Sequence, residues 1–272
     1  MKKFALMIVL MLCVGLVPLT AQDEEMPDFI QHSECENDLT GQTVTIFHLG
    51  DISSAGYSPI TLPLVAGVAD AIAYFNERGG VCGAELAQEN RDTGGDPGQT
   101  QAGYDFFSGE DVDMLILYSS ADSELLRPQV AEDEIPVIIS AGSVEGLYGE
   151  NGDEPGWIYA TNPLYADQLG SFCDYVAANP DEFPENPTIG YMGWGGAVAA
   201  FGLSAFTPET RAYCESVGVP ILENAESFEA TATDVSTQVD NLVFEGANII
   251  YTNALASGPV RVADAVDFLG YG

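Results

Sequence analysis

Continuous apolar runs that stop at glycine or at polar clusters alternate along this chain with stretches in which apolar residues recur every three or four positions. The first pair is a β-branched run at residues 43–49, halted by Gly50, and a stretch at 62–78 in which Val65, Val68, Ala69, Ile72 and Phe75 share one helical face. Gly79 and Gly80 close that helix, because glycine takes the left-handed cap conformation without a Cβ clash. The same reading predicts further strands at residues 84–89, 114–118, 136–139, 188–192, 220–223 and 248–251. Helices are predicted near 98–107 and at 123–131, 166–178, 203–217, 234–244 and 259–269, and residues 157–160 form a short link that opens the second half.

Strands separated by helices throughout imply right-handed βαβ units and parallel sheets covered on both faces. The number of strands is large for one sheet, so the expected class is α/β, with two Rossmann-like lobes joined by a hinge near residues 160–164. The predicted organisation is a leader at 1–21, an acidic segment at 22–42, a first lobe at 43–161 and a second lobe at 162–272. In such sheets ligands sit beyond the carboxyl ends of the strands, so the loops there are where chemistry is to be sought.

The leader changes the picture of where the chain works. Lys2 and Lys3, an apolar run at 4–19 and the small Ala21 are ordered as in a secretory signal peptide, with cleavage expected after Ala21. Cys13, with no small residue before it, does not read as a lipid-attachment site. No later stretch approaches the roughly 20 unbroken apolar residues of a membrane span, so the exported chain is expected to be soluble, periplasmic or extracellular.

Charge then excludes two classes of partner. The formal net charge is −35, from 42 acidic against 7 basic residues. Without the leader lysines only Arg78, Arg91, Arg127, Arg211 and Arg261 remain positive. Such a field repels phosphate backbones and anionic lipid, which argues against nucleic-acid or membrane-surface work. It reads as a solvated acidic shell suited to high salt, with a specific cationic partner as the alternative. Cys35, Cys82, Cys173 and Cys214 in an oxidising compartment suggest two disulfides; three pairings are open, and proximity in sequence favours Cys35 with Cys82 and Cys173 with Cys214.

The loops offer hydroxyls and aromatics. After the 114–118 strand, Ser119, Ser120, Asp122 and Ser123 enter a helix, where such residues commonly cap and where free amide groups also receive polar ligands. Ser140, Ala141, Gly142 and Ser143 repeat the construction after the next strand. The second half supplies Tyr165 and Asp167 at a helix start, Trp194 and Phe201 after the 188–192 strand, and the 253–257 loop. Ordinary packing explains each aromatic about as well as a solute wall does. No GxSxG elbow, HExxH or P-loop is present; Gly193, Gly195 and Gly196 make an incomplete dinucleotide pattern with Val198 where a glycine belongs. Neither His32 nor His48 lies near a serine-rich loop, so nucleophilic catalysis has no evident base, and no metal or cofactor is expected.

The order of these features resembles the type I periplasmic binding proteins, specifically the branched-chain amino acid and amide/urea receptors of ABC transporters. The resemblance lies in Gly50 to Gly56 after the first strand, in the AIAYFNERGGVCG string at 71–83, in Asp92 with Asp96 and Pro97, in Tyr118-Ser119-Ser120, and in Ile135 to Ile138 leading into Ser140 to Ser143. It covers residues 43–272. It implies that Ser120, Ala141 and Ser143, with Gly142 and Ser123 beside them, hold the carboxylate and amino group of an amino acid. By the same token Tyr165 supplies a polar contact and Phe201 stands where the family often has a stacked tyrosine; Ser53 and Tyr57 join them as expected ligand contacts. Members of the family continue well beyond residue 272, so the second lobe is expected to be incomplete. The function implied is capture of an amino acid or small amide between the lobes, without catalysis, and delivery to a membrane permease. A ligand-sensing receptor on the same fold, or less favourably an exported enzyme, are the alternatives.

Overall fold

The computed structural model describes residues 35–110, 112–140 and 142–271; the predicted leader, Cys13, most of the acidic segment and Ala141 lie outside the described residues. β1 (Thr43–Gly50) is β-branched at its start and buried over its last four residues, which makes it an inner strand of the first sheet. β2 (Glu85–Asp92), β3 (Met114–Leu117), β4 (Val137–Ile139) and β5 (Ile158–Ala160) complete that sheet in the order β2-β1-β3-β4-β5. Every pairing is parallel, with Phe47 opposite Glu89 and Leu115, and Val137 opposite Ile158. Residues 157–160, expected to be a link, thus form an edge strand of the first sheet, because Val137 N–H bonds to Trp157 C=O and continues the ladder.

Helices connect the strands, and their starts are written in the sequence. α1 (Ser58–Asn76) follows β1, and the Asn76 side chain ties its end to Leu86 by two 2.8 Å bonds, Oδ1 accepting from the Leu86 amide and Nδ2 donating to its carbonyl. In length and mean composition α1 is apolar enough to cross a membrane, although Asp70 interrupts its apolar run; it packs along β2 with Thr61 as its buried residue. α2 (Pro97–Phe107) is capped by Asp96, which accepts from Gln99 N–H, with Pro97 preset for a first turn. α3 (Ser120–Asp133) is capped by Ser119, and α4 (Val144–Tyr148) by Ser143. At five residues α4 is too short for its periodicity to be read in the sequence. Phe47, Leu49, Phe107, Leu115, Leu117, Leu126, Val130 and Ile139 form the core beneath these helices.

α5 (Tyr165–Ala178) leads to the second sheet, made of β6 (Ile189–Trp194), β7 (Glu226–Phe228) and β8 (Ile249–Thr252) in the order β7-β6-β8, again parallel. All six residues of β6 are buried, as a strand with neighbours on both edges and helices on both faces requires. The strand expected at 220–223 reduces to a bridge between Ile221 and Ile189, and the ladder proper forms further on, at β7. Of the helix expected at 203–217 only α7 (Pro208–Ser216) forms; a 3-10 turn (Gly196–Val198) and α6 (Ala199–Gly202) lie ahead of it, and residues 203–207 connect them. Pro208 cannot continue a preceding helix, and Thr207 caps the new one by accepting from Thr210 N–H. α8 (Ser236–Phe244) and α9 (Gly258–Leu269) cover one face, with Trp194, Val239, Leu242 and Val262 between. On the other face Leu169, Tyr191 and Ile221 surround a disulfide between Cys173 of α5 and Cys214 of α7, Cα atoms 5.4 Å apart. Cys35 and Cys82 are also disulfide-bonded.

Candidate functional site

The carboxyl ends of β1, β3 and β4 deliver Asp51, Ser120 and Ser143 to one side of the first sheet, and the end of β6 delivers Trp194. Glycines allow the second wall to be this tight. A Cβ on Gly193 would lie 1.8 Å from Gly202 C=O, and one on Gly202 1.8 Å from Trp194 C=O, so the end of β6 and α6 touch backbone to backbone. That approach explains Gly193 of the incomplete dinucleotide pattern, while Gly195 and Gly196 lie against Ser227 and Glu229. Asn253 Nδ2 donates to Phe201 C=O at 3.0 Å and fixes the same turn.

Aromatic rings run from one wall to the other. Tyr57, at the start of α1, is buried with its ring centroid 6.2 Å from that of Trp194. Trp194 lies 5.5 Å from Phe201, and Phe201 5.0 Å from Tyr165 at the start of α5. Ile60 of α1 packs into the cluster around Trp194, so the first and second sheets share a packed boundary here. Burial holds the Tyr57 phenol above its ordinary range, and Tyr165, Asp122 and Asp51 nearby push it the same way. Tyr165 is pushed up to about 12 by burial, opposed by the Ser120 hydroxyl.

The predicted serines divide by role. Ser120 is buried, and its Oγ lies near enough to the Tyr165 hydroxyl to act on its ionisation but forms no hydrogen bond of proper geometry. Ser123 Oγ donates to Ser120 C=O at 2.8 Å and faces Gly146, holding α3 against α4. Ser143 accepts from Gly146 N–H and donates to Glu124 Oε1 at 2.6 Å. Gly142 is buried against Leu147, where a Cβ would sit 2.3 Å from Cδ1. Ser53 is exposed and turned to Asp92.

Two carboxylates escaped the sequence reading. Asp51 accepts from the amide and hydroxyl of Ser54, and Asp122 accepts from Thr100 Oγ1 at 2.7 Å. Asp122 had been legible only as a helix-start residue. Burial, with Asp51 adding repulsion, pushes its pKa up to about 6 against the opposing Thr100 bond. Glu124 is also raised, by burial first and by Glu145, despite the Ser143 bond. A groove of about 940 Å³ opens beside Glu124, lined also by Ser143, Glu145, Asp167, Asp174, Glu209, Leu203 and Tyr213 among others. Among the described residues no group of three or more metal-ligating side chains occurs.

Parallel sheets whose strand ends meet across a shared boundary of rings and hydroxyls define the bilobed α/β class of solute-binding proteins. The chain belongs to the periplasmic binding protein family, whose model matches residues 43–272. Its fold is similar to that of a branched-chain amino acid ABC transporter protein from Thermus thermophilus solved with valine, at 20% identity, a TM-score of 0.73, and coverage of 85% of this chain and 58% of that one. It is likewise similar to a fatty acid ABC transporter substrate-binding protein from Thermomonospora curvata, at 20% identity, a TM-score of 0.71, and coverage of 86% and 56%. A solute-binding protein from R. palustris in complex with 4-hydroxybenzoate matches at 17% identity, a TM-score of 0.64, and coverage of 84% and 59%. The chain thus spans well under two thirds of the length of these solved relatives. No curated protein matches it.

Proposed function

We propose that this chain is the exported solute-capturing component of an ABC transporter, taking a small polar solute such as an amino acid or amide between its lobes and presenting it to a membrane permease. The observation that supports this most directly is the ring contact of Tyr57 with Trp194, which joins the strand-end loops of the first sheet to those of the second. In this reading residues 43–161 and 162–272 are the lobes and residues 160–164 lie at the hinge. Ser120 and Ser143 meet the solute first, and closure brings Tyr165 and Phe201 over it. The closed form is what the permease recognises, so solute affinity and transporter affinity are linked through one two-state equilibrium.

The solute class is open among the structural relatives, whose descriptions name valine, fatty acid and 4-hydroxybenzoate. Thermal melting of the chain with amino acids, amides and organic acids in turn tests the reading. A solute at about 100 times its dissociation constant stabilises by roughly 2.7 kcal/mol, a clear rise in melting temperature. A cooperative melt that no such solute shifts would count against capture.

A further inference from the structure

We propose that the outward face of α1 is a contact surface for a second copy of this chain, and that two copies associate through α1 helices that cross at Gly67 about a two-fold axis. The proposal concerns the flank of the first sheet and stands apart from solute capture.

The chain covers itself with carboxylates, 42 of its 272 residues being acidic, but not on this helix. α3 and α9 carry five and three charged side chains in 14 and 12 residues, whereas α1 carries one, Asp70, in 19. Val65, Val68, Ala69, Ile72 and Phe75 are half-buried on the side by which α1 packs along β2. The opposite side is exposed and still apolar, with Leu62 at 52% and Leu64 at 38% exposure beside Ala66, Gly67, Ala71 and Ala73. A helix with one neighbour carries its polar residues on the outer face, and a helix that is apolar on both faces has a neighbour on each.

Gly67 points the same way independently. Glycine weakens a helix interior, and it is required where φ must be positive or where a neighbour leaves no room for a Cβ. Neither reason holds within this chain: Gly67 is not among the left-handed residues, and a Cβ on it would meet no described atom within 4 Å. The space is open to the outside, where it lets another backbone come close. A second α1 fits it, because two-fold symmetry sets Gly67 against Gly67 and the surrounding apolar residues against their own copies. Charge favours the same partner. Two copies of net charge −35 repel across their acidic shells, and α1 is where they can touch without opposing carboxylates, since the axis puts the two Asp70 side chains on opposite sides of the crossing. A lipid surface fits less well, because a helix that lies on one carries Lys or Arg and α1 has neither. The face has fewer residues than the roughly 20 a side of a stable complex, so the dissociation constant is expected to be on the order of 10 μM.

Sedimentation velocity of the exported chain tests this over about 1 to about 300 μM in 1 M KCl, where the Debye length of about 3 Å confines the repulsion between shells. A monomer that converts to a dimer across this range is expected. Gly67→Gln puts a good helix former into open space without a change of charge, so the dilute monomer should melt at a higher temperature while dimerisation weakens about tenfold or more. A role confined to the monomer would not move the two readouts in opposite directions. Leu64→Glu should weaken the dimer similarly. Phe268→Ser, on α9 and 82% exposed, should leave it unchanged. A monomer at every concentration, or a dimer that Gly67→Gln and Leu64→Glu leave intact, overturns the proposal, as does a dimer that Phe268→Ser weakens equally.

Discussion

Removing the Cys173–Cys214 bridge isolates a stabilisation whose size follows from the fold. The two cysteines are 41 positions apart and fully buried, one on α5 and one on α7, and the segment they close contains all of β6. In the chain-entropy account, closing a loop of this length withholds about 4 kcal/mol of conformational freedom from the unfolded state at 25 °C. The double variant Cys173→Ala/Cys214→Ala should therefore be about 4 kcal/mol less stable. The lost sulfur volume beside Leu169 and Tyr191 adds to this. Urea unfolding of both proteins reads the difference, and the variant should show a lower midpoint with a steeper dependence on urea, because its unfolded chain exposes more surface. Solute affinity should fall as well, since α5 begins at Tyr165. A loss below about 1 kcal/mol, with unchanged slope, would refute the reasoning by showing that the unfolded state is as restricted without the bridge as with it.

Asp122 makes a pH-dependent prediction of opposite sign to the usual carboxylate. Its pKa stands at about 6 in the folded chain against 3.8 for the unperturbed group, so the folded state holds the proton more tightly. Stability is thus lost as pH rises from about 4 to about 6, at about 1.4 kcal/mol per unit, and is constant outside that window. The difference between wild type and Asp122→Asn, measured by urea unfolding across pH 4 to 7, should trace this step; a flat difference would contradict it. Gly202→Ala should abolish cooperative folding of the second sheet, because its Cβ would lie 1.8 Å from Trp194 C=O in a backbone contact that has no side chain to move aside. A soluble variant with wild-type near-ultraviolet circular dichroism would show that β6 and α6 can separate.

What the sequence determined by itself is the set of elements whose cause is local. Continuous apolar runs marked β1, β3 and β6, and period-3.6 apolar patterns marked the helices from α1 to α9 that run more than about ten residues. Pairs such as Asp96 with Pro97, and Thr207 with Pro208, carry a start signal in two residues; the second explains why the helix expected from residue 203 begins only at Pro208. The serines and aromatics of the candidate site were legible because strand-to-helix loops in parallel sheets lie at one end of the sheet. The tertiary structure decided the rest. β5 is a strand because β4 offers it an open edge, and β7 forms beyond the position that its own propensity favoured, since only there does it run beside Met192 to Trp194. The separate duties of Ser120, Ser123 and Ser143 depend on which neighbours α4 and α5 bring within reach. Asp51 and Asp122 are 71 positions apart and acquire their shared burial and mutual repulsion only when β1 and β3 lie side by side. Local sequence records what a residue prefers to be; which charges are left without a partner is a property of the packed chain alone.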